Sequence, residues 1–191
     1  MLTTNNQKSF EIAEKLRNHG AEISEEKRHL GPKPYILPDF KVLGFNYRMT
    51  DLQAAVGLVQ LLKLNKFLKE REYWANFYTE KLSSLDWLIP QEIPDYATTH
   101  SRQAYVCYVD PKKSPMSRNK IMDFLMKHGI STRPGTHAVH MLSFYKNKYN
   151  IKPNDFPEAF SCDEQTMAIP LHNNMIKEDY EYVVETLKTL K

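Results

Sequence analysis

The feature that most constrains this chain is a long apolar repeat that starts abruptly at Thr50. Leu52, Ala55, Val56, Val59, Leu62 and Leu64 share one helical face, and Phe67, Leu68, Trp74, Phe77, Tyr78 and Leu82 continue it. Thr50 with Gln53 is a capping-box pair, and Asp51 sets an acid in the first turn, where the helix dipole favours it. A pattern this long exceeds an ordinary globular helix. It predicts a kink or two consecutive helices, with the break near Glu70 to Glu72.

The residues ahead of Thr50 are the opposite case. Residues 21–44 contain Pro32, Pro34 and Pro38, are polar at first and then extended, and fit no regular element. A structureless stretch of that length is uncommon inside a compact domain and marks a functional segment or a piece of something larger. Before it, residues 1–4 read as the end of a strand closed by Asn5-Asn6, and residues 9–18 as a short helix stopped by Gly20.

Beyond Leu82 the pattern becomes α+β. Residues 87–89, 103–109 and 130–132 read as strands. Ser117 caps a helix running to His128, with Gly129 as its stop. Residues 157–163 read as a short helix, 166–169 as a strand ended by Pro170, and 177–190 as a final helix with Tyr180, Val183, Val184 and Leu187 on one side.

Composition excludes several function classes. The net charge of +3 comes from lysines that alternate with acids, and Lys112-Lys113 and Lys146 to Lys148 are too little for a nucleic-acid face. The apolar run around residues 58–64 is broken by Gln60 and Lys63, so no span of a membrane is expected. The start lacks the basic and apolar regions of a signal peptide. Two cysteines, Cys107 and Cys162, make neither a disulfide framework nor a metal cluster and fit a reducing cytosol, so a cytoplasmic location is expected. Cys107, in an apolar strand, reads as an inert core residue. Tyr73, Trp74, Phe77 and Tyr78 could form a stacking platform, but at helical spacing they read as core or dimer interface.

Three segments together resemble the DegT/DnrJ/StrS family of pyridoxal-phosphate-dependent sugar aminotransferases. Residues 44–55, GFNYRMTDLQAA, are very close to that family's GYNYRMTDLQAA loop-to-helix motif. Residues 131–140, STRPGTHAVH, followed by Phe144-Tyr145, are similar to its segment ending in P-I/L-H and a tyrosine, with Ala138 where proline is usual. Phe156-Pro157-Glu158-Ala159 and the later Ala168-Ile169-Pro170-Leu171-His172 resemble FPNAE and SLPLHP. The resemblance covers essentially the whole chain.

The resemblance implies the C-terminal part of a type I pyridoxal-phosphate transferase fold, an α/β enzyme whose small domain is α+β, with long helices followed by a small sheet flanked by helices. It divides the chain into residues 1–49, a remnant of the large cofactor domain with an active-site loop; 50–86, linking helices; and 87–191, the small domain. It implies pyridoxal 5'-phosphate as cofactor, a keto-sugar nucleotide as amino acceptor, an amino donor such as glutamate, and a homodimer with shared active sites. Residues 1–6 resemble the strand that follows SFHPRKxITTGEGG in the family. The lysine of that stretch, which forms the Schiff base, is therefore expected upstream of Met1, and no catalytic residue is assigned in this chain. The chain alone is expected to be inactive. A related dehydratase, in which histidine replaces that lysine, a dimerising remnant without catalysis, and an independent binding module are the competing readings.

Within the resemblance, Asn46 and Arg48 are the cofactor-binding candidates. They sit just before a helix N-terminus, where amides and dipole favour an anion, and Arg48 adds a planar fork suited to phosphate. The plainer alternative is that Arg48 pairs with a carboxylate and Asn46 shapes a turn. Arg133, His137, His140 and Tyr145 are the substrate candidates, with Arg133 facing an anionic part of the sugar nucleotide and His140 near the sugar. Ordinary loop hydrogen bonding accounts for the histidines and the tyrosine equally well. No metal is expected, because His100, His128 and His172 are scattered and the pair 137/140 lacks further ligands.

Overall fold

The structure is a computed structural model and describes residues 2–22 and 39–190. It divides into two compact units, residues 1–62 and 63–191, with the division falling inside a single long helix. Most of the irregular stretch, including its three prolines, lies outside the described residues.

In the first unit, helix α1 (Gln7–Arg17) is capped by Asn6, whose side chain accepts from the Ser9 amide at 2.9 Å. Its C-terminal end is fastened to the segment before Asp51 by main-chain bonds from Phe45 N to Leu16 O (2.6 Å), Tyr47 N to Arg17 O (2.9 Å) and His19 N to Phe45 O (2.9 Å). Gly20 (φ +85°) and Gly44 lie so close that a Cβ on either would collide with the backbone of the facing segment, which explains glycine at both. Leu2 to Thr4 belong to no strand. No described residue offers them a ladder, and an isolated extended segment has nothing to pair its amides.

Helix α2 (Asp51–Lys81) begins where the capping box predicts. Thr50 N donates to Gln53 Oε1 at 2.9 Å and Gln53 N to Thr50 Oγ1 at 3.3 Å. The expected break at 70–72 is absent; the helix is continuous. The reason lies at Arg71, in the second unit. Its guanidinium donates to the carbonyls of Arg102 (2.9 Å), Gln103 (3.0 Å) and Leu171 (3.1 Å) and to Asn173 Oδ1 (3.0 Å). Asn173 Nδ2 in turn donates to Phe67 O (3.2 Å) and Glu70 Oε2 (2.8 Å). The charged run that looks like an interruption in sequence is a clasp holding that turn in place.

The second unit is α+β. A four-stranded antiparallel sheet runs in the order β1 (Leu88–Pro90), β2 (Tyr105–Val109), β4 (Thr166–Ile169), β3 (Arg133–Pro134). Helix α3 (Arg118–Lys127) precedes β3. Helix α4 (Ser143–Tyr149) and helix α5 (Pro157–Gln165) lie between β3 and β4, and helix α6 (Lys177–Lys188) closes the chain. The core gathers Tyr78 from α2, Val109 and Cys107 from β2, Ile121 and Leu125 from α3, Met167 from β4 and Leu187 from α6. Trp74 stacks on Tyr180 at 4.1 Å and 5°, and Tyr78 packs on Tyr105 and Tyr180, so three of the four aromatics on this stretch of helix are core or its margin. Tyr73 is exposed. Burial pushes the Cys107 thiol up to about 12, in keeping with an inert core residue. The third strand is two residues long and begins at Arg133 rather than at Ile130, because Ile130 and Thr132 are turned into the core as the chain leaves α3.

Candidate functional site

The candidate residues fall into two groups, one in each unit. In the first unit the residues before α2 form an exposed loop whose shape is set by the main-chain bonds to α1. Asn46 pairs in an isolated antiparallel bridge with Asn18. Arg48 Nε donates to Asn46 Oδ1 at 3.1 Å, so the two candidates are held against each other. Phe45 and Tyr47 stack at 5.1 Å on the flanking positions. The loop therefore offers an amide and a guanidinium side by side at the start of a helix, where first-turn amides lack intrahelical partners. These groups fit a phosphate. None of them supplies the amine that a pyridoxal-phosphate enzyme also needs.

In the second unit, the chain leaves the edge of the sheet after β3. Arg133 pairs with Ala168 and Pro134 with Met167, and the Gly135 amide donates to Thr166 O at 3.1 Å. A Cβ at Gly135 would stand 2.5 Å from Thr166 Oγ1 and 2.6 Å from Val106 Cγ1, so only glycine lets the chain lie this close to the sheet. Arg133 and His137 are exposed, with His137 Nδ1 4.0 Å from Asp163 Oδ1. His140 is buried, its ring 5.1 Å from that of Phe156, and its Nε2 has no hydrogen-bond partner among the described residues. An unmet ring nitrogen in an enclosed position is costly unless something else bonds to it. Tyr145 is 40 % exposed and meets Phe144 edge-on at 5.1 Å. The structure thus brings Arg133, His137 and His140 onto one loop docked on β4, with Tyr145 on the helix after it. Sequence reasoning missed Asp163, which faces His137, and Arg118, whose guanidinium donates to the carbonyls of Thr166 and Asp163. A basic residue directly after the helix cap at Ser117 was the available signal for the latter. Among the described residues no cluster of three or more metal-ligating side chains is present, and no helix is long and apolar enough to cross a membrane.

With this geometry in hand, the profile of the DegT/DnrJ/EryC1/StrS aminotransferase family matches residues 1–188. The chain belongs to that family. It is 29 % identical over 194 residues to the spore coat polysaccharide biosynthesis protein SpsC of Bacillus subtilis. That match takes in 100 % of this chain and 49 % of SpsC, so the chain spans about half the length of the curated relatives it matches. Among solved structures, a candidate sugar aminotransferase of Streptococcus pneumoniae in its PLP form superposes with a TM-score of 0.79 at 24 % identity, covering 98 % of this chain and 44 % of that one. Helicobacter pylori PseC, an aminotransferase involved in the biosynthesis of pseudoaminic acid, gives 0.79 at 22 % identity over 98 % of this chain and 47 % of its own. These likenesses establish the fold as about half of a pyridoxal-phosphate sugar aminotransferase, with helices and a small antiparallel sheet.

Proposed function

We propose that this chain is the C-terminal portion of a nucleotide-sugar aminotransferase, which moves an amino group, normally from glutamate, onto a keto-sugar nucleotide. Residues 87–191 act as the small domain, 50–86 link it, and 1–49 carry the loop that reaches the cofactor. The observation that carries the reading is the Asn46–Arg48 pair, held at 3.1 Å at the start of α2 within a match to the family along nearly the whole chain.

Pyridoxal phosphate, when bound, supplies the electron sink for the transfer. This chain's residues do the holding. Arg48 and Asn46 bind the phosphate, the first as a charged fork and the second through its side-chain amide. Arg133 meets an anionic part of the sugar nucleotide. His140 Nε2, buried and unmet, hydrogen-bonds a sugar hydroxyl, and Tyr145 lines the same loop. The lysine that carries the cofactor comes from the portion of the relatives' length that this chain does not span, and two subunits share each site.

Two measurements test this. The 191-residue chain with added cofactor, glutamate and a keto-sugar nucleotide should show no transamination; turnover would overturn the division of labour. In a polypeptide of the relatives' full length, Arg48→Ala should weaken cofactor retention by roughly tenfold or more, the size of one lost charge-assisted bond. Unchanged cofactor affinity and turnover would remove the phosphate role.

A further inference from the structure

We propose that Arg118 is a positioning residue that fixes the direction in which residues 133–140 leave the sheet. This rests on the reading of that segment as the substrate loop. Arg118 opens α3 and is buried, an unusual place for a guanidinium without a carboxylate. Its Nη1 donates to Thr166 O at 3.2 Å and its Nη2 to Asp163 O at 3.0 Å, while Nε has no partner among the described residues. The fork therefore bridges the last turn of α5 and the first residue of β4, the junction where the helix becomes a strand. Thr166 closes the same junction by donating its hydroxyl to Cys162 O at 2.5 Å.

Thr166 O is also the acceptor of the Gly135 amide. One carbonyl thus receives both the buried cation and the loop. Because β3 is only two residues long, the loop has little else to fix its exit: two register pairs to β4 and this one bond at Gly135. Asp163, whose carbonyl takes the other arm of the fork, faces His137 with its carboxylate. A single side chain outside the loop therefore sets the acceptor on which the loop hangs and the main chain of the acid that faces its histidine. A cation polarises the carbonyl it bonds and holds it more firmly than a neutral donor does.

The test is an amide-exchange comparison on the 191-residue chain, followed by kinetics in the full-length enzyme. With Arg118→Met, exchange at Gly135 should rise about tenfold, the effect of losing one charge-assisted bond, while amides of the β2–β4 ladder change less than about twofold. Arg118→Lys, which reaches one carbonyl but not both, should fall between. In the full-length enzyme KM for the sugar substrate should rise with kcat little changed, since a merely structural role would lower the active fraction and leave KM alone. No change at Gly135, or equal acceleration across the whole sheet in both variants, would overturn the proposal. A raised Gly135 exchange with no change in KM would retain the anchoring and refute the substrate role of the loop, separating the two readings.

Discussion

Among the described residues, the two units are very unequal in what they bury. In residues 63–190 the sheet and its helices enclose a continuous core of side chains at or near zero exposure, from Tyr78 and Val109 to Met167 and Leu187. Among the described residues of the first unit, Ala21 is the only buried hydrophobic side chain. Its caps are satisfied and its main-chain bonds are short, yet Leu52, Leu58 and Leu62 are 82, 65 and 86 % exposed. From 52 to 62 the helix is apolar on every side except the one that carries Gln53 and Gln60, the composition of a helix largely meant to be enclosed. Hydrogen bonds and caps specify a conformation, whereas burial is what makes it stable. Under the proposed reading, the enclosing surface comes from the part of the relatives' length that this chain does not span.

The largest test of that contrast is unfolding in alkali. Cys107 is pushed up from 9.0 to about 12, and Tyr105 from 10.0 to about 12, both chiefly by burial. Above pH 9 the unfolded chain releases these protons while the folded chain keeps them. Stability is therefore complete below that pH and falls as it rises toward 12. The loss should reach on the order of 4–7 kcal/mol, and Cys107→Ala should flatten the curve. A slope unchanged by that substitution would place the alkaline sensitivity elsewhere.

A pair of truncations followed by urea unfolding should distinguish the units next. Tyr78→Ala removes a fully buried ring and its hydrogen bond to Pro170 O, and should cost about 3–5 kcal/mol. Leu62→Ala, at 86 % exposure, should stay within about 0.5 kcal/mol. Equal losses would mean that the first unit has a core of its own.

Smaller again is the clasp. Arg71→Met leaves the carbonyls of Arg102, Gln103 and Leu171 without their donor and should cost roughly 2 kcal/mol in the second unit. It should also raise amide exchange in the turn around residues 67–71, restoring the weakness that the sequence implies there.

That position shows what the sequence could and could not reveal. The start of α2 was legible because capping is local: Thr50 and Gln53 lie within one turn of each other. Strand β4 was legible as a short run ended by Pro170, and helix α6 because its apolar period matches its element. The continuity of α2 was not, since Arg71 is secured by residues 31 to 102 positions away. The third strand was misplaced because Ile130 and Thr132 have strand-like composition but serve the core. Asn46 and Arg48 could be nominated from a motif, whereas the burial of His140 and its unmet nitrogen are visible only in three dimensions.

The finest probe of the comparison is Thr50→Ala. The Thr50 hydroxyl caps Gln53 N on an exposed helix end, where such a cap contributes about 1 kcal/mol. In a unit whose helix is supported by burial, that loss would spread into the global unfolding free energy. Here the first turns of α2 have no enclosed face, so the loss should remain local. Amides of residues 53–57 should exchange several-fold faster, while the urea midpoint of the second unit stays unchanged. A shift of that midpoint would show that the start of α2 and the core beyond Lys63 unfold as one, and that the exposed half of the helix shares the stability of the buried half.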